Sequence, residues 1–399
     1  MSGLAGEELK EVSPVNHFAR IDGLRALAAL LVFFTHVGAT RYITGFEVEG
    51  FDNTVRAVLD SFTIGVKIFF GISGFVLLRP FIQRHVAGLP ALRGSGYFTR
   101  RAFRIYPAYW VAILGTTFAI RGVVHLHDTW PWVANLVLIQ GYSRSARYSP
   151  EFVGMIQAWT LVVEVTFYGF LAVYAVVLRR VARQTTALRT QWVGLGVIGV
   201  LTIGAYAWLH GGHAPDWVAV LPDQMPLFLC GMVFAVLTAD EAGGLATRAF
   251  GWLGRHPALC CIVALLAFAF IPAMSTQRNP PWFPVLALHM LIVTMLLCTA
   301  VLPSVKPSRI HAVLASRPAV FLGTISYGIY LWHYAIVYWL SNNFFQATQG
   351  QTMLKVTLFA LPLSVGMGWV SYRVIERPAI NFSRQLTQRI KFRSEERAR

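Results

Sequence analysis

The sequence predicts an all-α integral membrane protein, a bundle of about ten membrane-crossing helices. Three observations predict it. Hydrophobic residues fill 56% of the 399 positions and charged residues only 13%, against about 25% charged in a soluble domain. The mean hydropathy is +0.55. The apolar residues fall in runs of about 20, the length a helix needs to cross a hydrocarbon core of about 30 Å. The same composition excludes a disordered chain.

Residues 1–20 are polar, carry Glu7, Glu8 and Glu11, and are expected to form a cytoplasmic N-terminal segment. The apolar run after them has no small-residue cleavage site, which predicts an uncleaved first span rather than a signal peptide. Ten spans are expected at 22–40, 62–82, 104–122, 157–178, 192–210, 222–238, 257–273, 283–302, 318–340 and 353–372. Trp130–Tyr142 is apolar but too short to cross, so it is expected to lie at the interface or to re-enter. The membrane domain thus covers 21–380, and 381–399 is a basic, solvated cytoplasmic tail.

The net charge of +16 would suggest nucleic acid in a soluble protein. Here it suggests cytoplasmic loops rich in Lys and Arg, and no nucleic-acid partner is expected. With the N-terminus inside, the inner segments hold 25 Lys and Arg and the outer loops 6. Both termini are therefore expected in the cytoplasm, in a multi-pass protein of a bacterial inner membrane. The four cysteines, Cys230, Cys260, Cys261 and Cys298, lie in apolar runs without C-x-x-C or Cys/His spacing. Neither a disulfide framework nor a metal site is expected.

Ionisable residues inside spans are costly and mark function by default. Arg25 and His36 share one face of the first span, about 16 Å apart. Asp22, one turn before Arg25, could hold its guanidinium. His36, Lys67, Glu164 and His333 come from four spans and are expected in one layer, about 9–10 Å below the outer surface. A structural Lys67–Glu164 ion pair with incidental histidines is the competing reading. Arg101 and Arg104, one turn apart in TRRAFRIYPAYW, could bind phosphate through bidentate hydrogen bonds. They also fit the positive-inside rule and contacts with anionic lipid. In GISGFVLL, Ser73 stands between Gly71 and Gly74, which favours helix packing or backbone approach to a ligand. Glu376, followed by Arg377 and Pro378, reads as a helix stop.

At these residues the chain resembles acyltransferase family 3, the integral membrane O-acyltransferases. The resemblance runs from Arg20 to about Ile380. It covers RIDGLRALAALLVFFTHV, VKIFFGISGFVLL, TRRAFRIYPAYW, WTLVVEVTFY, TISYGIYLWH and VIERP, in order. It implies ten core spans. It also implies transfer of an acyl group, with acetyl expected, from cytoplasmic acyl-CoA to a hydroxyl of a glycan, glycolipid or metabolite. Carried over by motif, His36 is the expected catalytic histidine with Arg25 its companion, and Arg101 and Arg104 contact the coenzyme. Glu164, Tyr327, His333 and Trp159 match motif positions, with Tyr327, His333 and Trp159 expected near substrate. The chain is similar to the short stand-alone members, without an extracytoplasmic hydrolase-like domain.

The residues suggest a mechanism compatible with that implication. The coenzyme headgroup would bind the arginines at the inner mouth, with Ser73 and Arg25 along its arm. His36 would act as general base. Glu164 would orient it or stabilise its imidazolium, and Lys67 would stabilise the thioester oxyanion. The outer segment 123–156, with Trp130, Trp132, Tyr142 and Tyr148, offers aromatic faces for sugars or an interfacial belt. Spans with polar residues at this depth also fit a transporter or flippase.

Overall fold

The computed structural model describes residues 19–39, 53–92, 94–121, 129–143, 150–182, 186–213, 221–239, 245–275, 282–302, 308–344 and 352–396. The expected N-terminal segment up to residue 18, the loop positions Arg144, Arg147 and Tyr148, and the last three residues of the tail lie outside these. Among the described residues the chain is helical, with no strand. The helices are α1 (Ala19–Gly38), α2 (Asn53–Ser61), α3 (Ile64–Val86), α4 (Gly94–Arg121), α5 (Thr129–Leu136), α6 (Trp159–Val181), α7 (Ala187–Trp208) and α8 (Leu221–Leu237). They continue with α9 (Leu245–Gly254), α10 (Pro257–Ser275), α11 (Trp282–Val301), α12 (Arg309–Leu314), α13 (Arg317–Thr324), α14 (Ser326–Asn343), α15 (Thr352–Ser371) and α16 (Arg377–Glu396).

Each expected span falls on a helix. Among the described residues, seven helical stretches are long and apolar enough to cross a membrane, and α13 with α14 makes an eighth if that pair, bent by 70°, is one span. The other two expected spans lie on α8, a shorter apolar helix of 17 residues, and on α4, 28 residues long with arginines in its first half. The chain is a multi-pass membrane protein.

Glycines set the tightest helix contacts. A Cβ on Gly231 of α8 would run into the carbonyl of Gly71 on α3, and one on Gly74 into the carbonyl of Phe228. Hydrocarbon gives no hydrophobic drive for helices to associate, so contacts of this closeness hold them by dispersion. The start of α1 is gripped in the same way. A Cβ on Gly23 would meet the backbone of Leu314, and one on Gly323 the backbone of Asp22. This clamp seats Arg25 beside the bend at Ile325, where α14 begins.

Trp130–Tyr142 holds a short helix and a turn, not a span. α5 has only 8 residues, and Leu138 turns the chain with a φ of 59°. Three side chains from one face of α4 donate to carbonyls at the end of this short helix. Tyr109 Oη donates to Asn135 O at 2.8 Å, Trp110 Nε1 to Leu136 O at 2.9 Å and Tyr106 Oη to Val137 O at 3.2 Å. Tyr106 stands about 22 Å along the axis from the end of α4, so the turn lies deep in the bundle.

One expectation at the C-terminal end changes. Glu376 ends no helix. Tyr372–Glu376 is a π turn, and the helix runs on from Arg377 to Glu396. Pro378 falls in the first turn of α16, where its missing N–H removes nothing from the helix. Residues 381–396 of the expected tail belong to that helix, and most of positions 381–390 are exposed. It docks on α4, with the Phe382 and Phe103 rings 5.4 Å apart.

Candidate active site

α1, α3, α4, α6 and α14 enclose a cavity of about 130 Å³, several times the space that one water needs. Arg25, Arg101, Arg104, Glu164, Ser73, Ser326 and Tyr327 line it on the polar side, and Phe69, Phe70 and Leu161 on the apolar side. Its polar wall is thus drawn from five helices that the sequence separates by up to 302 positions.

The charges in it are mixed. Arg25 feels the carboxylates of Asp22 and Glu164 and the opposing charge of Arg104. Glu164 Oε1 accepts from Tyr168 Oη at 2.6 Å, one turn further along α6. The Arg101 guanidinium lies 5.9 Å from the Tyr97 ring centre and 5.8 Å from that of Tyr168, within the range of cation–π attraction. Tyr327 Oη donates to Ile105 O at 2.9 Å, which fixes α14 against α4 beside Arg104. The Nε atoms of Arg25 and Arg101 are buried without a hydrogen-bond partner among the described residues. A buried N–H left unpaired is costly, so the pair stands ready for an acceptor atom from a ligand.

Glu376 was the residue that sequence reasoning passed over. The π turn buries it to 5% exposure. Its carboxylate accepts from Ser371 Oγ at 3.1 Å and feels Arg104 and Arg25. π turns of this kind recur at functional sites. A carboxylate in VIERP at the end of an apolar run was the available signal. Tyr168 was also legible, as the hydroxyl four residues after Glu164.

Tyr330 lines the cavity on α14, one turn beyond Ser326 and Tyr327. Its hydroxyl donates to Gln157 O at 2.5 Å and contacts Thr160 Oγ1 at 2.5 Å. Gln157 Nε2 in turn donates to Leu331 O at 3.0 Å. One turn beyond this wall, His333 Nε2 lies 3.0 Å from His36 Nδ1. The edge of the Tyr334 ring packs against His36, with centroids 4.9 Å apart. Phe33, Val37 and Val337 form an apolar cluster around the same turn.

The expected layer of four ionisable residues therefore divides. His36 and His333 meet. Glu164 sits below them among the arginines, and no hydrogen bond joins it to His36. Lys67 answers to Asp223 of α8 and acts on His289 of α11, and it does not line the cavity. The cause is register. A Cβ on Gly65 would meet Ala28 and Val32 of α1, so Lys67 lies about two turns, or ~10 Å, below His36. Trp159 stays outside the cavity too, with its ring 6.4 Å from Phe70. Among the described residues no cluster of His, Cys, Asp and Glu could hold a metal.

Residues 18–373 match the family model described as an acyltransferase domain. Similar proteins include a provisionally named O-acetyltransferase of Staphylococcus aureus, 24% identical over 90% of this chain and 56% of its own length. Another is the peptidoglycan O-acetyltransferase OatA of Listeria monocytogenes, 22% identical over 90% of this chain and 55% of its own. A third is a provisionally named membrane-bound transacylase, BcsY, of Komagataeibacter xylinus, 24% identical over 92% and 84%. The chain spans about half the length of the first two. No solved structure gives a significant match. With nearly the whole bundle and every residue that lines the cavity inside the matched stretch, the chain belongs to the acyltransferase domain family.

Proposed function

We propose that the protein moves an acyl group, acetyl in the first instance, from acyl-CoA to a hydroxyl of a glycan, glycolipid or glycosylated metabolite. It does so in a bacterial inner membrane, with its termini and the arginine end of the cavity toward the cytoplasm. One observation carries this reading. A cavity with three guanidiniums at one end stops one helical turn short of a histidine pair, so an anionic headgroup and a proton acceptor have places on one line.

Arg101, Arg104 and Arg25 would hold the coenzyme phosphates by charge-assisted hydrogen bonds. Glu164, tied down by Tyr168, and Glu376 would keep those guanidiniums apart and aimed while the site is empty. The pantetheine arm would pass Ser73 and Phe69, with the thioester at the Tyr330 wall. His36 would then take the proton of the acceptor hydroxyl as its oxygen attacks the thioester carbonyl. The C–S bond breaks, the proton passes to the departing thiolate, and the products are an ester and free coenzyme A. Helix packing around the pair keeps water from the thioester.

The test is purified protein in liposomes with acetyl-CoA and envelope glycan fragments, followed by thiol release and by the mass of the acceptor. Acetyl-CoA consumption that depends on the acceptor supports the proposal. Passage of the acceptor across the vesicle with no thiol released would make the protein a transporter.

A further inference from the structure

We propose that His333 is a positioning residue that fixes the tautomer of His36, so that Nε2 of His36 is the atom that takes the proton. This deepens the acyl-transfer reading and rests on it.

The argument is a count of protons. A backbone carbonyl accepts hydrogen bonds and cannot donate one. His333 Nδ1 lies 2.8 Å from Tyr330 O and 3.1 Å from Ile329 O, so Nδ1 carries the hydrogen. In the neutral ring, Nε2 of His333 is then a bare lone pair. It faces His36 Nδ1 at 3.0 Å. His36 Nδ1 also lies 3.0 Å from Val32 O. The only assignment without two acceptors in contact puts a hydrogen on His36 Nδ1, shared between Val32 O and His333 Nε2. A doubly protonated His333 would donate to His36 Nδ1 and leave that atom's lone pair facing the Val32 carbonyl. In neutral imidazole one nitrogen donates and the other accepts, so His36 Nε2 holds the free lone pair. No described residue bonds it, and the His36 ring is only half-buried.

His333 suits this task. It is 1% exposed, and α14 holds it on two carbonyls of its own preceding turn. It sits between the rings of Tyr330 and Phe33, with centroids 5.8 Å and 6.4 Å away. When His36 takes a proton on Nε2, the positive ring still donates from Nδ1 to His333, so no group has to turn during the reaction. The pair works as a chain of two, with the first link anchored in backbone and the second open to substrate.

The experiment uses the full-length protein in nanodiscs with ¹⁵N-labelled histidine. The His36 signals are found by their loss in His36→Gln. The expected spectrum has His36 with hydrogen on Nδ1 and a bare Nε2, and His333→Leu weakens that preference to what the Val32 carbonyl alone holds. In turnover, His333→Leu lowers kcat by about ten- to a hundred-fold, the worth of one hydrogen bond to a charged group. KM for acetyl-CoA stays within about twofold. His333→Gln offers a side-chain oxygen to the same Nδ1–H and recovers most of the rate. A spectrum with His36 protonated on Nε2 overturns the proposal. Equal losses in folded Leu and Gln variants also overturn it, because they show a packing role only. If His333→Leu does not fold, the wild-type spectrum and the Gln variant still decide. If the protein transfers no acyl group at all, the functional reading fails while the tautomer result stands apart from it.

Discussion

At one end of the site three guanidiniums share a cavity with carboxylates and tyrosines drawn from separate helices. At the other, two imidazoles touch across a single 3.0 Å contact, each also bound to carbonyls of its own helix. The first end is made by long-range packing and carries formal charge. The second brings two helices together at one contact, and each imidazole is aimed by carbonyls of its own preceding turn. A binding end tolerates a redundant set of charges, because each phosphate has several oxygens to satisfy. A proton-transfer end needs one defined lone pair, and backbone carbonyls, which cannot change protonation, define it better than charged side chains would.

That contrast can be broken most severely at His36. His36→Ala should lower kcat by about 10² to 10⁴, the usual worth of a general base, with acetyl-CoA binding retained. Measured turnover near the wild-type rate in a folded variant would remove the histidine end from the chemistry. The next largest effect belongs to Arg101→Ala combined with Arg104→Ala. At about 1.5–3 kcal/mol for each charge-assisted bond, KM for acetyl-CoA should rise by tenfold or more while kcat at saturation returns most of the way. A variant that loses kcat instead would erase the division between the two ends. Labelling of introduced cysteines tests the direction of the line that joins them. Ser95→Cys should be shielded from an impermeant reagent outside intact cells, and Ala146→Cys should react.

Smaller effects sharpen the boundary. Gly231→Ala places a methyl against the Gly71 carbonyl and should cost about 1–3 kcal/mol of stability through overpacking, read as a lower midpoint of thermal unfolding in detergent. Tyr330→Phe keeps the ring and removes the hydroxyl bonds to Gln157 and Thr160, about 0.5–1.5 kcal/mol each. It should leave KM for acetyl-CoA unchanged and raise the relative turnover of longer acyl-CoA, because the wall is then less firmly held. Unchanged acyl preference would show that Tyr330 does not bound the acyl group.

The membrane class and the helix positions were legible in the sequence, because apolar runs of the right length have few alternatives. The short apolar stretch at Trp130–Tyr142 could also be read, from its length alone. The arginines of the cavity were legible as ionisable residues near span ends. Depth was harder. Lys67 and His36 looked level because each was counted from its own span end, yet Gly65 packs against Ala28 and Val32, and that register is a tertiary fact. Glu164 was sought beside His36 for the same reason and stands with Arg25. Glu376 escaped because Pro378 reads as a stop, while a π turn lets the helix continue and turns the carboxylate inward. The His36–His333 contact joins positions nearly 300 residues apart, and no local pattern announces it.

The 70° bend at Ile325 also divides α13 from α14 electrically. A straight helix has one macrodipole with poles at the two membrane surfaces. The bend makes two shorter ones, so the negative pole of α13 and the positive pole of α14, each about half an elementary charge, meet there, the positive one at Ser326 and Tyr327 on the cavity wall. Arg25, Arg101 and Arg104 act alongside a pole that carries no side-chain charge, cannot be titrated, and would vanish if the span were straightened.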